Sequence, residues 1–194
     1  LQRIEVFSER YTDNDILWVA YSLEHLSEHP LAHAIIRAAE EKKLSPFKVS
    51  DFMAIHGKGI CGTATVDELN GISLIENVRI GAGNTKLCKE LAIPISEAIH
   101  TRLAEAAEKG ASPLLVIIGD ECAGLIAVAD PVKEGSIRAI RDFHEMGIHT
   151  VMLTGDNQRT AEAIQKIVGI GDVVAELLPQ DKKAKVEYYR SKGF

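Results

Sequence analysis

Residues 150–157 read TVMLTGDN, and this stretch decides the fold of the second half of the chain. Its first four residues are a short apolar run of strand type. The run ends in a glycine turn before Asn157, a residue type that caps helices. Periodic apolar residues typical of helices stand on both sides of it. A strand between two helices is the repeating unit of a parallel α/β sheet.

The same alternation extends outward from this stretch. The pattern predicts three helices and one more strand, at 134–146, 159–168, 180–191 and 173–175. We therefore expect residues 119–194 to form part of an α/β, Rossmann-like domain with a doubly wound parallel sheet. Residues 1–9, which contain the strand-like run IEVF, are expected to belong to the same domain.

The first part of the chain has helices and strands in groups rather than in alternation. The predicted order is two helices, three antiparallel strands, two helices and two strands, at 12–27, 31–43, 47–55, 60–66, 72–80, 85–91, 96–108, 114–118 and 125–129. A hairpin turn is predicted at Asn70-Gly71. We expect residues 10–118 to form an α+β domain, an antiparallel sheet flanked by helices, inserted into the second domain.

The composition is that of a soluble chain with one or two hydrophobic cores. Of the 194 residues, 46% are hydrophobic and 26% are charged, and the net charge is −6. Nucleic-acid binding is not expected, because phosphate contacts need clustered Lys and Arg. The longest strongly apolar run, 114–118, is far shorter than the about 20 residues of a membrane span. We expect a soluble, monomeric chain whose three widely spaced cysteines are reduced and buried.

The end of the predicted strand at 150–153 carries residues that suit a phosphate group. Ligands of open α/β sheets bind beyond the carboxyl ends of the strands. Thr154, Gly155 and the first N–H groups of the next helix can form a phosphate-sized site, and Asp156 would position a cation, a hydroxyl or a neighbouring loop. Lys182 lies in the first turn of a helix, where a phosphoryl group would offset its unfavourable interaction with the helix dipole. The alternative is an ordinary strand-to-helix turn followed by a solvated lysine.

Two motifs in the first part of the chain suit a nucleotide base. Glu28 and His29 lie at a helix entrance, where an imidazole can stack on a flat base and a carboxylate can accept from an exocyclic amine. The segment HGKGICG, residues 56–62, joins two strands, and Gly57 and Gly59 let the backbone approach a ligand closely. The alternatives are a plain helix cap and a tight hairpin with a bulge.

Two further features concern a helix cap and a metal site. Asn84 ends a predicted strand and begins a helix, so it can cap the helix, contact a ligand, or do both. His25, His29 and His33 have the spacing of one helix face, but Pro30 interrupts the helix between them. We therefore expect no metal site there.

The motifs follow one another in the order SEHPLAHAI, HGKGICG, GAGN, DPVKEG, MLTGDN and LPQDK. In this order they resemble the heavy-metal-transporting branch of the P-type ATPases over nearly the whole chain, and the His-Pro pair is a hallmark of that branch. The resemblance implies a nucleotide-binding domain followed by part of a haloacid-dehalogenase-like phosphorylation domain. It implies nucleotide contacts by Glu28, His29, Gly57, Gly59, Asn84 and Asp130, and catalytic roles for Thr154, Gly155, Asp156 and Lys182.

The resemblance also implies how these residues act. The Glu and His of SEHP would hold adenine against the glycine backbone, while Asp130 would lie near the hinge between the domains. Thr154 would hold the phosphoryl group, Lys182 would neutralise it, and Asp156 would help to organise the domain interface. Family members often read PGHG at the glycine motif. Lys58 is therefore a departure from the family pattern that either reaches a phosphate or is simply exposed.

The implied parent enzyme transfers the γ-phosphoryl group of ATP to an aspartate and couples its hydrolysis to the export of a heavy-metal cation. ATP and Mg²⁺ are the implied cofactors. The chain contains neither D-K-T-G-T nor G-D-G-x-N-D. We therefore expect the phosphorylated aspartate, the main Mg²⁺ ligands and the cation-binding membrane helices to lie outside a chain that is cut between these motifs.

The expectation is a soluble, cytoplasmic fragment of a membrane protein that binds ATP without efficient turnover. These residues do not specify whether copper, zinc or cadmium is transported. Two other functions are compatible with some of the motifs. A haloacid-dehalogenase-like phosphatase with a large cap shares the Thr and Lys elements, but no nucleophilic Asp precedes Tyr11. A free-standing nucleotide-binding regulatory module would also bind ATP weakly.

Overall fold

The computed structural model of the protein describes residues 1–27, 32–65, 77–129 and 132–191. It divides into two compact units, each described by itself below. Unit 1 comprises residues 1–103 and 113–128, and unit 2 comprises residues 104–112 and 129–194. The predicted turn at Asn70-Gly71 lies outside the described residues.

Unit 1 is a six-stranded sheet with helices, as far as the described residues go. Its elements are β1 (Arg3–Val6), α1 (Asp13–Glu24), α2 (Ala32–Glu41), β2 (Val49–Ile55), β3 (Gly59–Ala64), β4 (Val78–Gly83), α3 (Thr85–Glu90), the first half of α4 (Glu97–Glu108), β5 (Ser112–Ile118) and β6 (Glu121–Val128). The end of α4 and the first residue of β5 belong to unit 2. The strand order is β1-β6-β5-β4-β3-β2. The pairs β1–β6, β2–β3, β3–β4 and β4–β5 are antiparallel.

Helix α1 begins with a reciprocal cap. The Thr12 side chain accepts a hydrogen bond from the Asp15 N–H, and the Asp15 carboxylate accepts one from the Thr12 N–H at 2.7 Å. This arrangement satisfies two N–H groups that a helix start would leave unpaired. Downstream, Ile16, Ala20 and Leu23 are fully buried, as the periodicity predicts. The helix ends at Glu24 rather than at residue 27.

The core of unit 1 lies between one face of the sheet and helices α1 and α2. Side chains from the sheet and from both helices form one cluster, which includes Ile16, Leu23, Ile35, Ile80, Ile118 and Ile126. Helix α1 packs on β1, β3, β4 and β6 and therefore spans most of the sheet. Burial of this apolar surface is the main favourable term in the stability of the unit.

The boundary between the units differs from the predicted one. The prediction assigned residues 1–9 and 119–128 to the second domain. In the structure β1 pairs with β6 from Arg3↔Ala127 to Val6↔Gly124, and both strands belong to the sheet of unit 1. Pairing between the first residues and a strand so distant in sequence leaves no local signal, so the sequence pattern did not reveal it.

Unit 2 has the predicted α/β alternation. Its elements after residue 129 are α5 (Glu134–Glu145), β7 (Val151–Leu153), α6 (Gln158–Val168), β8 (Asp172–Val174) and α7 (Pro179–Ser191). Strands β7 and β8 are parallel, in the register Val151↔Asp172 to Leu153↔Val174. This parallel pair agrees with the doubly wound sheet predicted for this part of the chain. None of the helices in the described ranges is long and apolar enough to cross a membrane.

The three cysteines are buried and free, as predicted. Cys61 lies on β3, Cys88 on α3 and Cys122 on β6. The side chains of Cys88 and Cys122 are hydrogen-bonded to each other, which lowers the pKa of Cys88 and raises that of Cys122. They pack as small buried side chains of unit 1.

We expect Thr12→Ala to lower the free energy of unfolding by about 1 kcal/mol, because it removes the side-chain half of the cap on α1. Thr12→Ser keeps the hydroxyl and should retain most of the stability. Urea denaturation followed by circular dichroism measures both. Equal stabilities for the Ala and Ser variants would contradict the capping role.

Candidate functional site

The glycine loop, residues 56–59, connects β2 to β3 with a tight turn. The Lys58 N–H donates to the Ile55 carbonyl oxygen at 2.9 Å. Gly57 has a φ of 70°, in the left-handed region, and Gly59 has a φ of 144°. A Cβ at Gly59 would overlap the carbonyl oxygen of Ala82 on the neighbouring strand. Only glycine fits here, because the two backbones are in direct contact.

Asn84 holds the glycine loop against the start of α3. Its Oδ1 accepts from the Lys86 N–H at 2.9 Å, which caps the helix. Its Nδ2 donates to the Gly57 carbonyl oxygen at 2.9 Å, and its backbone N–H donates to the Lys58 carbonyl oxygen at 2.9 Å. The structure thus brings Gly57, Gly59 and Asn84 together. The predicted capping role of Asn84 is confirmed.

Lys58 also contacts α3 through its side chain. Its Nζ lies 2.7 Å from Glu90 Oε2, at the last residue of the helix. The hydrogen bond and the charge of Lys58 hold the pKa of Glu90 below its ordinary value. In this structure the ammonium group is therefore neither free nor simply solvated.

Three of the predicted nucleotide contacts, Glu28, His29 and Asp130, lie outside the described residues. Their roles remain predictions. Immediately before Glu28, the described chain ends with α1 and a short turn to Ser27. This turn follows a buried acidic residue that the sequence reasoning missed.

Glu24, the last residue of α1, is 4% exposed. Among the described residues its Oε2 has no hydrogen-bond partner, and burial raises its pKa from 4.5 to about 7, although a hydrogen bond with Ser27 opposes this shift. A buried carboxyl group with a free acceptor is costly, and such groups often mark functional sites. A sequence signal existed, because Glu24 follows Ile16 and Ala20 at intervals of four residues on the apolar face.

The TGD loop, residues 154–156, lies at the carboxyl end of β7. The Thr154 hydroxyl donates to Asp156 Oδ2 at 2.7 Å, and the Asp156 N–H donates back to the Thr154 hydroxyl at 3.1 Å. After the loop, Asn157 Oδ1 accepts from the Thr160 N–H and caps α6. The threonine hydroxyl and the aspartate carboxylate are thus held as one hydrogen-bonded pair, with Gly155 between them.

The TGD loop is bonded to the segment that follows β8. The N–H groups of Glu176 and Leu177 donate to the carbonyl oxygens of Asp156 and Thr154, at 2.9 and 3.0 Å. This segment leads into α7, where Lys182 is exposed in the first turn. Both loops lie at the carboxyl ends of parallel strands, where α/β sheets bind ligands.

The TGD loop contributes a single carboxylate, Asp156, already hydrogen-bonded to Thr154. In the described part of the chain, no group of three or more His, Cys, Asp or Glu side chains is arranged to hold a metal ion. Mg²⁺ sites usually combine one or two carboxylates with water and substrate phosphates. Asp156 by itself does not provide an all-protein Mg²⁺ site.

A family model of the haloacid dehalogenase-like hydrolases matches residues 4–193. The chain belongs to this family. A copper-exporting P-type ATPase of Staphylococcus epidermidis is 37% identical to this haloacid dehalogenase-like chain over 188 residues, which are 97% of the chain and 22% of the relative. The chain thus spans about a fifth of the length of that curated relative.

Solved structures of P-type ATPases are also similar to this chain. A zinc-transporting PIB-type ATPase in its E2.Pi state matches 98% of this haloacid dehalogenase-like chain and 28% of its own, with a TM-score of 0.61 and 27% identity. The N-domain of a copper-transporting P-type ATPase matches 66% of the chain and 98% of its own, with a TM-score of 0.50. That second match is only 18% identical and shows the fold alone. The resemblance to heavy-metal-transporting P-type ATPases and the fold class are confirmed.

We expect Glu24→Gln to stabilise this haloacid dehalogenase-like chain at about pH 8 by about 2 to 3 kcal/mol and to change its stability little at about pH 4. The folded-state pKa is raised, so the wild type loses stability as the pH rises from 4.5 to about 7 and carries the full penalty above that. The neutral amide removes the penalty. Urea denaturation at both pH values measures the difference.

Glu9→Gln is a matched control, because Glu9 is exposed and the same charge is lost. It should change the stability by little at either pH. A Glu24→Gln variant no more stable than wild type at high pH would contradict the buried, ionised carboxylate.

Proposed function

We propose that this chain is the ATP-binding part of a heavy-metal-exporting P-type ATPase. Unit 1 would be the nucleotide-binding domain and unit 2 part of the phosphorylation domain. The observation that carries the proposal is the hydrogen-bonded contact of Asn84 with the glycine loop, because it joins two motifs that the resemblance assigns to one nucleotide. The 37% identity to a copper-exporting P-type ATPase supports it.

Adenine is the part of the nucleotide that the chemistry of unit 1 favours. The backbone at Gly57 carries no side chain, so a flat ring can approach it closely, while Gly59 packs against β4 and fixes the position of the loop. We take the buried Glu24 carboxyl, whose Oε2 has no hydrogen-bond partner among the described residues, as the proposed acceptor for the exocyclic amine of adenine. Guanine has a carbonyl group at that ring position, and an acceptor facing an acceptor is unfavourable. By the resemblance, Glu28 and His29 add a polar and a stacking contact.

Unit 2 would act on the phosphoryl group. Thr154 and Lys182 would stabilise its negative charge, since phosphoryl transfer depends mainly on positioning and charge neutralisation. Asp156 would hold the Thr154 hydroxyl in place. Asp130 would lie near the hinge. Mg²⁺ would neutralise further phosphate charge, with its main ligands outside this chain.

The parent protein would lie in a membrane with this region on the cytoplasmic side, and its transported partner would be a heavy-metal cation. The names of similar proteins include copper-exporting and zinc-transporting ATPases. We therefore propose a heavy-metal cation without naming the metal. Coupling to an aspartyl phosphate would divide ATP hydrolysis into two easier steps.

We expect ADP and ATP to shift the amide NMR signals of Gly57, Gly59 and Asn84, and to bind more tightly than GTP. Glu24→Gln should weaken adenine-nucleotide binding about tenfold, since it removes a charged acceptor. Because the same variant is expected to be more stable, the loss cannot be ascribed to unfolding. Shifts confined to residues after 129, or equal affinity for GTP, would contradict the adenine site.

We expect His29→Gln to weaken nucleotide binding several-fold, about 1 kcal/mol, with an unchanged melting temperature. His29 precedes Pro30 at a helix start, so its ring is predicted to project from the helix end. Calorimetric titration and thermal melting of one sample test this. A melting temperature several degrees lower with unchanged affinity would leave His29 a structural residue only.

A further inference from the structure

The glycine loop is fastened to both ends of α3. At the helix start, Asn84 binds the carbonyl oxygens of Gly57 and Lys58 through its side chain and its backbone. At the helix end, the Lys58 ammonium reaches Glu90 at 2.7 Å. Helix α3 has only six residues, about 9 Å of helix axis, so the side chains of Lys58 and Glu90 together can span it.

The loop needs such support because of its sequence. Glycines at 57 and 59 give the unrestrained backbone more freedom than any other residue type would. Fixing that backbone for a ligand carries an entropic cost, which an attachment made before binding reduces. Lys58 stands between the two glycines, so a restraint on its side chain restrains both of them.

The ion pair contributes little to the stability of the fold itself. The side chains of Lys58 and Glu90 are 32% and 52% exposed, and exposed pairs of this kind contribute little to folding. Its effect is therefore expected on the local order of the loop, where small free energies change the population of a binding-competent conformation.

We propose that the Lys58–Glu90 ion pair is a latch that holds the glycine loop in its ligand-binding conformation, which makes both residues positioning residues. This inference rests on the nucleotide site proposed above. The alternative role for Lys58 is direct contact with the phosphate groups, in which case Glu90 competes with the ligand. The two roles predict opposite effects of removing the Glu90 charge.

The test measures the affinities of adenosine and ATP for wild type, Glu90→Gln, Lys58→Met and the charge-reversed double variant Lys58→Glu with Glu90→Lys. Adenosine carries no phosphate, so it reports the loop alone. With a latch, each single variant weakens both ligands about two- to fivefold, the range that an exposed ion pair supplies. The reversed pair restores adenosine binding.

Opposite results would overturn the latch. Direct phosphate contact predicts that Glu90→Gln strengthens ATP binding and leaves adenosine unchanged. Failure of the reversed pair to restore adenosine affinity would exclude a role for the pairing. Lys89→Met, which removes a neighbouring exposed charge on α3, is the matched control and should bind both ligands as wild type does.

Amide hydrogen exchange without nucleotide provides a second readout. The Lys58 N–H donates across the turn to Ile55 and the Asn84 N–H donates to the loop carbonyl of Lys58. Both N–H groups should therefore exchange faster in each single variant and recover in the reversed pair. Unchanged exchange in the single variants would overturn the latch whether or not nucleotide binds. If the wild type binds no nucleotide but the variants show the expected differences in exchange, only the proposed function is contradicted.

Discussion

Burial of the apolar face of α1 against the six-stranded sheet is the interaction on which unit 1 depends. The helix packs on β1, at the beginning of the chain, on β3 and β4, and on β6, the last strand of unit 1. It therefore ties the first residues to strands that occur much later in the sequence. The same burial takes Glu24 out of water, because this residue continues the buried face to the helix end. The apolar core and the buried Glu24 carboxyl thus come from one packing surface.

A second constraint is the close approach of β3 and β4 at their glycines. A Cβ at Gly59 would overlap Ala82, and one at Gly83 would overlap the carbonyl oxygen of Lys58. The absence of both side chains lets the glycine loop reach Asn84, which closes it with hydrogen bonds. Sheet geometry therefore fixes the position of the loop, while contacts to α3 fix its conformation. Binding sites built on rigid elements in this way lose less entropy when a ligand arrives.

The sequence predicted features with local signals. The alternation around residues 150–157, the cap at Asn84 and the order of the motifs each depend on neighbouring residues, and the structure has the predicted alternation and cap. The pairing of β1 with β6 depends on contacts across the whole of unit 1. The burial of Glu24 was not predicted, because charged residues on an amphipathic helix are expected to face solvent. Its burial is decided by tertiary packing, which overrides that expectation.

Under the proposed function, the buried Glu24 carboxyl would connect stability with ligand choice. The Glu24 carboxyl is desolvated in the folded chain, its Oε2 has no hydrogen-bond partner among the described residues, and it is mainly ionised only above a pH of about 7. A ligand that donates an N–H group to Glu24 would supply a hydrogen bond to this buried acceptor, so binding would also relieve a cost of folding. A ligand that presents a carbonyl group leaves the acceptor unpaired and adds repulsion. Discrimination in such a site arises mainly from rejecting the wrong ligand, as in other sites whose buried polar groups require a particular partner. The instability that Glu24 introduces would therefore be the source of its selectivity.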